Sequence, residues 1–236
     1  MATSVIEIAN LCVSYSQAKV LHDVSLDVRQ GEVVALLGRN GAGRTTTLRA
    51  IMGLVSKRSG SIKIFGRETI SWTPYRIARI GVGFCPEERG IFSSLNCKEN
   101  LLLPPTVKNA SSAFSLNELY EIFPNLAERL SSVGTSLSGG EQQMLAIARI
   151  LRTGSQTLLL DEISEGLAPV IVNALGALVS NLKKRGYTIL LVEQNVTFAR
   201  PLADRFYFLE NGRVADMVHA ADIDMRSDAI ESYLNV

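Results

Sequence analysis

The sequence predicts an α/β fold with a mixed, mainly parallel sheet, an N-terminal antiparallel β portion and a helical insertion. Short apolar runs at 82–85, 157–160 and 189–192 are separated by helical patterns, which is typical of buried parallel strands. Apolar and polar residues alternate at 5–8 and 24–28, which favours half-buried antiparallel strands. Both kinds of strand are therefore expected around one core.

Three further patterns complete the expected order of elements. Residues 61–66 alternate as another strand, and Asn211-Gly212 is a strong hairpin signal between two short apolar segments. From about 96 to 136 the pattern is mainly helical, with Asn96 and Glu99 spaced as a helix N-terminal cap. A second helix, whose apolar face begins at Leu116, is expected to stop at Pro124.

Composition places the chain among ordinary globular proteins and excludes several kinds of function. Of its 236 residues, 47% are hydrophobic and 20% charged, and the net charge is +1, so we expect no nucleic-acid partner. The N-terminus lacks a secretory signal, and no apolar run approaches the length of a membrane span. The three cysteines lack C-x-x-C spacing, which fits reduced cytosolic thiols. With only two isolated histidines beside them, the chain has no zinc-cluster pattern.

Residues 38–45 match the phosphate-binding P-loop pattern, G-x-x-x-x-G-K-[ST], except that Arg44 occupies the lysine position. The loop lies between an apolar strand and a helical pattern, so its glycine N–H groups and the helix N-terminus would converge on an anionic triphosphate. Thr45 would bind Mg²⁺ and Arg44 would reach the phosphates. The alternative is a plain glycine-rich turn. The predicted cradle consists of Gly38, Asn40, Gly41, Ala42, Gly43, Arg44, Thr45 and Thr46.

A second candidate phosphate site begins at Ser138. Ser138 and Glu141 form a capping-box pattern, which alone predicts only a well-capped helix. The cap does not account for Gly139 and Gly140, since each glycine costs roughly 1 kcal/mol relative to alanine inside a helix. Their free N–H groups, with the serine hydroxyl and the helix dipole, predict a second phosphate-binding helix end.

Two carboxylates, Asp161 and Glu162, follow the apolar strand at 157–160. In open α/β sheets, ligands bind at the carboxyl ends of the strands. Alternation predicts that the two side chains point in opposite directions, with Asp161 holding Mg²⁺ and Glu162 polarising the attacking water. A simple acidic turn after a strand is the alternative, although the upstream P-loop pattern disfavours it.

Together these motifs resemble the nucleotide-binding subunit of an ABC transporter. The P-loop, then Leu-Ser-Gly-Gly-Glu-Gln-Gln at 137–143, then the strand ending in Asp-Glu, occur in that order over nearly the whole chain. The resemblance implies an ABC ATPase fold with ATP and Mg²⁺ as ligands. It also implies one domain, with a RecA-like core and antiparallel lobe at 1–86 and 156–236 and a helical subdomain at 87–155.

The resemblance extends to individual residues. Tyr15 matches the aromatic residue that stacks on adenine, although a core or surface tyrosine fits equally well. Glu87 stands where most members carry the glutamine that senses Mg²⁺ and faces the membrane subunit. Gln194 occupies the position of the switch histidine, and a plain polar residue at a strand end competes with that assignment. The segment at 164–167 matches the loop that touches the partner subunit.

The variants at Glu87 and Gln194 resemble the smaller ATPase of branched-chain amino acid importers, a subgroup that includes urea and amide importers. This implies a head-to-tail homodimer, or a heterodimer with a second ABC ATPase, on the cytoplasmic face of the membrane. Two permease subunits and, indirectly, a solute-binding protein would complete the system. Ile91 and Phe92 are candidates for permease contact or for ordinary core packing. Ile163 replaces the proline that usually follows the catalytic glutamate, and we expect this replacement to have a mild effect.

Arg44 distinguishes this chain from the family pattern. A guanidinium keeps the charge of lysine but is planar and wider, so we expect nucleotide binding with slowed hydrolysis. Two other functions remain open: a nucleotide-binding regulatory or dimerisation module without turnover, and a soluble ABC protein acting on DNA or ribosomes. Intact Glu162 argues against the first, and the balanced charge argues against the second.

Overall fold

A computed structural model describes residues 3–107, 113–226 and 233, so residues 108–112 of the expected helical insertion lie outside the described part. The strands are β1 (Ser4–Tyr15), β2 (Ala18–Arg29), β3 (Val33–Gly38), β4 (Arg58–Ile64), β5 (Arg67–Glu68), β6 (Val82–Cys85), β7 (Thr157–Asp161), β8 (Thr188–Glu193), β9 (Arg205–Glu210) and β10 (Arg213–His219). The helices are α1 (Arg44–Ile51), α2 (Pro74–Arg79), α3 (Cys97–Leu102), α4 (Leu116–Ile122), α5 (Pro124–Glu128), α6 (Gly139–Thr153), α7 (Pro169–Lys184) and α8 (Val196–Ala199). Short 3₁₀ turns lie at Gly134–Ser136, Ala220–Asp222 and Asp224–Arg226.

The larger sheet has the strand order β10-β9-β3-β8-β7-β6. Neighbouring strands from β9 to β6 run parallel, and β10 pairs with β9 in the antiparallel direction. Every residue of β3, β7 and β8 is buried, as their near-continuous apolar sequences predict. The carboxyl ends of these strands therefore meet at one edge of the sheet. The predicted α/β class is confirmed.

The smaller sheet is antiparallel, in the order β2-β1-β4-β5. The segments predicted at 5–8 and 24–28 pair directly, with Ile6 opposite Val28. Val34 of β3 belongs to the core shared with this sheet, whereas its neighbour Ala35 belongs to the core shared with the helices. Successive strand residues face opposite sides. The larger sheet is therefore the middle layer, with the smaller sheet and α1 on one face and most helices on the other.

A buried ionic network links the two sheets. Arg205 of β9, whose side chain is 3% exposed, donates hydrogen bonds to the carboxylates of Asp27 on β2 and Glu32 just before β3. Because the guanidinium has partners on both elements, its burial is compensated. The network fixes the antiparallel sheet against the amino end of the parallel one.

The helical part agrees with the predicted caps and with the predicted helix end before Pro124, and it adds one helix that was not predicted. Capping boxes are present at Asn96 on α3 and at Ser138 on α6. Pro124 was expected to stop the helix that begins at 116; α4 does end at Ile122, but Pro124 then occupies the first turn of α5. Proline suits that position because the first N–H groups of a helix have no intrahelical partner. Within the described residues, no helix combines the length and hydropathy needed to cross a membrane.

Candidate nucleotide-binding site

The loop between β3 and α1 contains two positions, Gly41 and Gly43, whose backbone conformation favours glycine. Gly43, the residue before α1, has φ of 106°, and a Cβ there would lie 2.5 Å from Cδ2 of Leu21. Gly41 has φ of 80° with open space beside it. Positive φ costs an L-residue free energy, which explains the glycines. Their backbone conformation wraps the loop around the N-terminus of α1.

The β9–β10 hairpin supports this loop from behind. The N–H of Gly212 in the hairpin turn donates to the carbonyl of Ala42 at 3.0 Å. A Cβ on Gly38 would lie 2.3 Å from the carbonyl oxygen of Leu209 on β9, so the loop begins in close contact with that strand. The loop conformation therefore depends on an element more than 150 residues away in sequence.

The loop forms one wall of a cavity of about 320 Å³. The cavity brings the predicted cradle residues at 40–46 together with Glu87 and Glu162. It also includes Val20 and Arg39, which no sequence pattern predicted as site residues, and Glu165, which was predicted only as part of the partner-contacting segment at 164–167. The full lining is Val20, Arg39, Asn40, Gly41, Ala42, Gly43, Arg44, Thr45, Thr46, Glu87, Glu162 and Glu165.

Arg44 is the first residue of α1, and it is 4% exposed. One terminal nitrogen, Nη2, forms an ion pair with Glu162 and lies 3.3 Å from Oδ1 of Asn40. The other two nitrogens, Nε and Nη1, are buried and have no hydrogen-bond partner within the described part of the chain. Unpaired buried donors on a cation are costly. The Arg44 side chain would have to turn before these nitrogens could reach an anionic ligand in this cavity.

Asp161, at the end of β7, is 1% exposed and accepts a hydrogen bond from the Thr45 hydroxyl to Oδ1 at 3.2 Å. Burial raises the pKa of Asp161 to about 7, opposed by the Thr45 hydrogen bond and reinforced by the charges of Glu162 and Glu87. Its Oδ2 has no hydrogen-bond partner among the described residues. A carboxylate oxygen and a hydroxyl are suitable Mg²⁺ ligands, and Mg²⁺ commonly uses one or two carboxylates with substrate phosphates. These residues fit the expected ion. Thr45 and the exposed Glu87 line the cavity, whereas Asp161 lies behind Thr45 and is not part of the lining.

Asp161 and Glu162 do not follow simple strand alternation. β7 ends at Asp161, and Glu162 has φ of 48°, a left-handed conformation uncommon for a non-glycine residue. The chain turns there, so the two carboxylates contact consecutive residues of α1, Thr45 and Arg44. The expectation of opposite directions is corrected, because it assumed that the strand continued through Glu162.

Glu165 adds a second carboxylate beside the one that was predicted. A side-chain hydrogen bond with Glu162 and the charge of Glu162 raise the pKa of Glu165. Glu165 is three residues past Glu162, and only the turn between them brings it to the cavity.

The remaining predicted residues lie outside the cavity lining. Ser138 is an exposed N-cap of α6, followed by Gly139 and Gly140, and its hydroxyl accepts a hydrogen bond from the N–H of Glu141. Tyr15, at the end of β1, is 42% exposed. Gln194 is exposed directly after β8. The structure therefore separates the second glycine-rich helix end from the first.

Comparison with known proteins agrees with the geometry. A family model described as ABC transporter matches residues 21–165. The chain is 42% identical over 201 residues to the high-affinity branched-chain amino acid transport ATP-binding protein BraG of Pseudomonas aeruginosa, covering 85% of this chain and 86% of that protein. It is 34% identical over 224 residues to the lipopolysaccharide export system ATP-binding protein LptB of Escherichia coli K12, covering 93% and 91%.

Solved structures give the same fold. A nucleotide-free ATP-binding cassette from an ABC transporter superposes with a TM-score of 0.84 at 19% identity, over 99% of this chain and 98% of that one. An ATP-binding subunit of an ABC transporter superposes with a TM-score of 0.77 at 30% identity, over 98% and 95%. The phosphate-type loop, the paired carboxylates and these similarities establish that the chain belongs to the ABC transporter family, as an ATP-binding and ATP-hydrolysing subunit.

Proposed function

We propose that this chain hydrolyses ATP in a head-to-tail pair of ABC ATPase subunits, and that the hydrolysis powers import of branched-chain amino acids or related small polar solutes. The pair would be a homodimer or include a second ABC ATPase, bound to two permease subunits on the cytoplasmic face of the membrane. A solute-binding protein would deliver the solute to the permeases. The cavity that joins the 38–46 loop to Glu162 carries the catalytic part of the proposal. The 42% identity to BraG favours the import of amino acids.

The residues that line the cavity, and the predicted residues outside its lining, have separate tasks in this reaction. The N–H groups of the loop and the positive end of α1 bind the phosphates of ATP. Asp161 and Thr45 would hold Mg²⁺, which neutralises charge on the β- and γ-phosphates when bound. Glu162 orients water and takes its proton as the oxygen bonds to the γ-phosphorus, and the bond to the β-phosphate oxygen breaks to give ADP and phosphate. Tyr15 would stack on adenine, and Gln194 would face the γ-phosphate.

The ion pair between Arg44 and Glu162 competes with this reaction. Arg44 must leave the carboxylate and turn to the phosphates before Glu162 can act as a base. Its unpaired Nε and Nη1 favour phosphate binding once ATP is present. We therefore expect tight nucleotide binding and slow turnover, and abolished turnover would correspond to the regulatory-module alternative.

The position of the α6 N-terminus supports the head-to-tail arrangement. Ser138, Gly139 and Gly140 form a helix end suited to phosphate, yet they lie outside the cavity that holds their own chain's phosphate loop. In a two-fold pair, the same patch of each subunit faces its partner. Each ATP would then lie between the 38–46 loop of one subunit and the Ser138 end of the other.

A separate groove of about 890 Å³ is the proposed permease contact. Its lining combines apolar side chains, including Leu54, Tyr75 and Phe84, with Arg79 and Arg149. It borders the segment after β6 that begins at Pro86, one residue before Glu87 of the ATP cavity. A short permease helix in this groove would therefore sense the nucleotide. Phe92 is 47% exposed, whereas Ile91 packs partly against the core, so Phe92 is the better permease candidate.

Phosphate release from the purified chain with Mg-ATP tests the catalytic part. We expect slow release that Glu162→Gln reduces to background while nucleotide binding is retained. ATP binding without release from the unaltered chain would favour the regulatory module.

Solute uptake tests the transport part. Deletion of the gene for this chain is expected to abolish uptake of labelled leucine, isoleucine or valine by the host. Expression of the unaltered chain should restore the uptake, whereas expression of Glu162→Gln should not. The similarity to LptB favours a second candidate, a subunit of an exporter. Normal uptake with defective lipopolysaccharide export in the deletion strain would support that candidate and contradict import.

A further inference from the structure

A buried carboxylate, Glu193, holds the loop that follows the candidate base. Glu193 is the last residue of β8 and is 1% exposed. Its Oε1 accepts a hydrogen bond from the N–H of Ser164 at 3.1 Å, and its Oε2 accepts one from the Ser164 hydroxyl at 2.8 Å. A carboxylate can accept both bonds at once, so Glu193 fixes both the backbone and the side chain of Ser164.

The loop that Glu193 holds includes a residue in an unfavourable conformation. Glu162, two residues before Ser164, has φ of 48°. Its N–H donates to the carbonyl of Val192 at 2.9 Å, directly before Glu193. Left-handed non-glycine residues persist where the surrounding structure over-determines them. The turn therefore donates three hydrogen bonds to acceptors at the end of β8, and these bonds hold Glu162 at the cavity.

We propose that Glu193 is a positioning residue for ATP hydrolysis, which acts by holding Ser164 and thereby the orientation of Glu162. The inference rests on the proposed ATPase function and extends it to a residue outside the cavity lining. β8 lies between β3 and β7, so Glu193 stands between the strand that leads to the phosphate loop and the strand that ends at Asp161. The next residue, Gln194, is the candidate switch residue.

Burial of this carboxylate is unfavourable, which argues for a role beyond filling space. Burial raises the pKa of Glu193 to about 7, opposed by the two hydrogen bonds from Ser164. The negative charge of Glu162 raises it further, and Arg44 lowers it. An apolar residue of similar size would avoid this cost but would leave the Ser164 donors unpaired.

Single-turnover kinetics and nucleotide binding of matched variants test the role. Glu193→Ala removes both acceptors, and we expect the hydrolysis rate to fall roughly 10- to 100-fold, since small misplacement of a catalytic group has effects of that order. ATP affinity should change less than about threefold, because the phosphate loop is untouched. Glu193→Gln keeps one acceptor and should restore most of the rate.

Ser164→Ala provides a milder second variant, since it removes only the hydroxyl bond. We expect an intermediate rate, and the double variant with Glu193→Ala should be no slower than Glu193→Ala alone, because both remove the same link. Glu32→Gln is the matched control: it weakens the ion pair between a partly buried glutamate and Arg205 at the opposite end of the sheet, and it should lower stability with little change in the rate.

The outcomes separate the two proposals. Full activity of Glu193→Ala, or equal loss of rate and nucleotide affinity, would overturn the positioning role while leaving the ATPase function intact. No phosphate release from the unaltered chain would overturn the proposed function and the positioning role together.

Discussion

We expect arginine at position 44 to slow hydrolysis through its partner as well as through its shape. Its guanidinium pairs with Glu162 and is 4% exposed. Arg44→Lys replaces the planar fork with a compact ammonium that aims at the phosphates, so we expect a single-turnover rate up to roughly 10²- to 10³-fold higher, the value of one well-placed transition-state donor. ATP affinity should change less, because the loop N–H groups remain.

The control for the Arg44→Lys experiment is an arginine-to-lysine change elsewhere in the chain. Arg213→Lys serves this purpose, since its side chain is 61% exposed on β10. Equal hydrolysis rates for the unaltered chain and Arg44→Lys would contradict the idea that Arg44 impairs the chemistry.

Glu193 makes a pH-dependent contribution to stability. Its folded-state pKa of about 7 lies above the usual 4.5, so its stabilising effect is complete below about pH 4.5 and is lost as the pH rises through about 7. Glu193→Gln carries no such charge. We expect its free energy of unfolding, relative to the unaltered chain, to rise with pH by up to about 3 kcal/mol. Urea unfolding without nucleotide from pH 4 to 8 measures this difference.

The matched change for this experiment is Glu210→Gln, at an exposed glutamate on the end of β9. It makes the same chemical change at a site away from Ser164 and provides the baseline for the comparison. Parallel stability curves for Glu193→Gln and the unaltered chain would show that folding does not raise the pKa of Glu193.

At the scale of elements, the β9–β10 hairpin turn acts as a support for the phosphate loop. A Cβ on Gly212, which has φ of 72°, would lie 2.0 Å from the carbonyl oxygen of Val20. Gly212→Ala should therefore cost about 2 to 4 kcal/mol in unfolding free energy, from both backbone strain and overpacking. Because Gly212 also bonds to Ala42, ATP affinity should fall several-fold. Urea unfolding and nucleotide titration measure the two effects.

Gly186→Ala separates strain from contact. Gly186 has φ of 81°, and no atom of the described residues lies within 4 Å of its Cβ position, so its substitution should cost only about 1 kcal/mol and leave ATP affinity unchanged. An equal change of ATP affinity in Gly212→Ala and Gly186→Ala would mean that the hairpin does not support the loop.

Local sequence patterns predicted the helices and strands better than they predicted the contacts between them. The strands at 82–85 and 157–160, the Asn211-Gly212 hairpin and the caps at Asn96 and Ser138 follow from alternation, burial and turn chemistry that act within a few residues. Docking of the hairpin on the loop could not be predicted, since it depends on a contact between distant segments. Pro124 shows the same limit, because proline both ends one helix and begins another.

At the scale of the molecule, ionic links set how the layers meet, and the sequence carries little sign of them. Arg205 reaches Asp27, 178 residues earlier, and no local pattern marks either residue. The same holds for Glu193 and Ser164, which only the order of β7 and β8 brings together. In contrast, the loop at 38–45 and the Asp161-Glu162 pair were visible, because phosphate chemistry requires fixed residue types at fixed spacing. Glu165 was predicted only as part of the 164–167 segment, because its place in the cavity depends on the turn at Glu162.

The separation of the Ser138 end from the chain's own cavity predicts complementation between defective subunits. Glu162→Gln removes the base, and Ser138→Asp keeps a good N-cap but places negative charge against phosphate, so each variant alone should be inactive. In a head-to-tail mixed pair, one site combines an unaltered Glu162 with an unaltered Ser138. Random pairing of an equal mixture should therefore restore about a quarter of the phosphate release in a two-fold dimer. A chain carrying both changes, mixed with the unaltered chain, should form mixed pairs without an intact site. If the two single variants remain inactive together while each still binds ATP, the two helix ends do not meet across a subunit boundary.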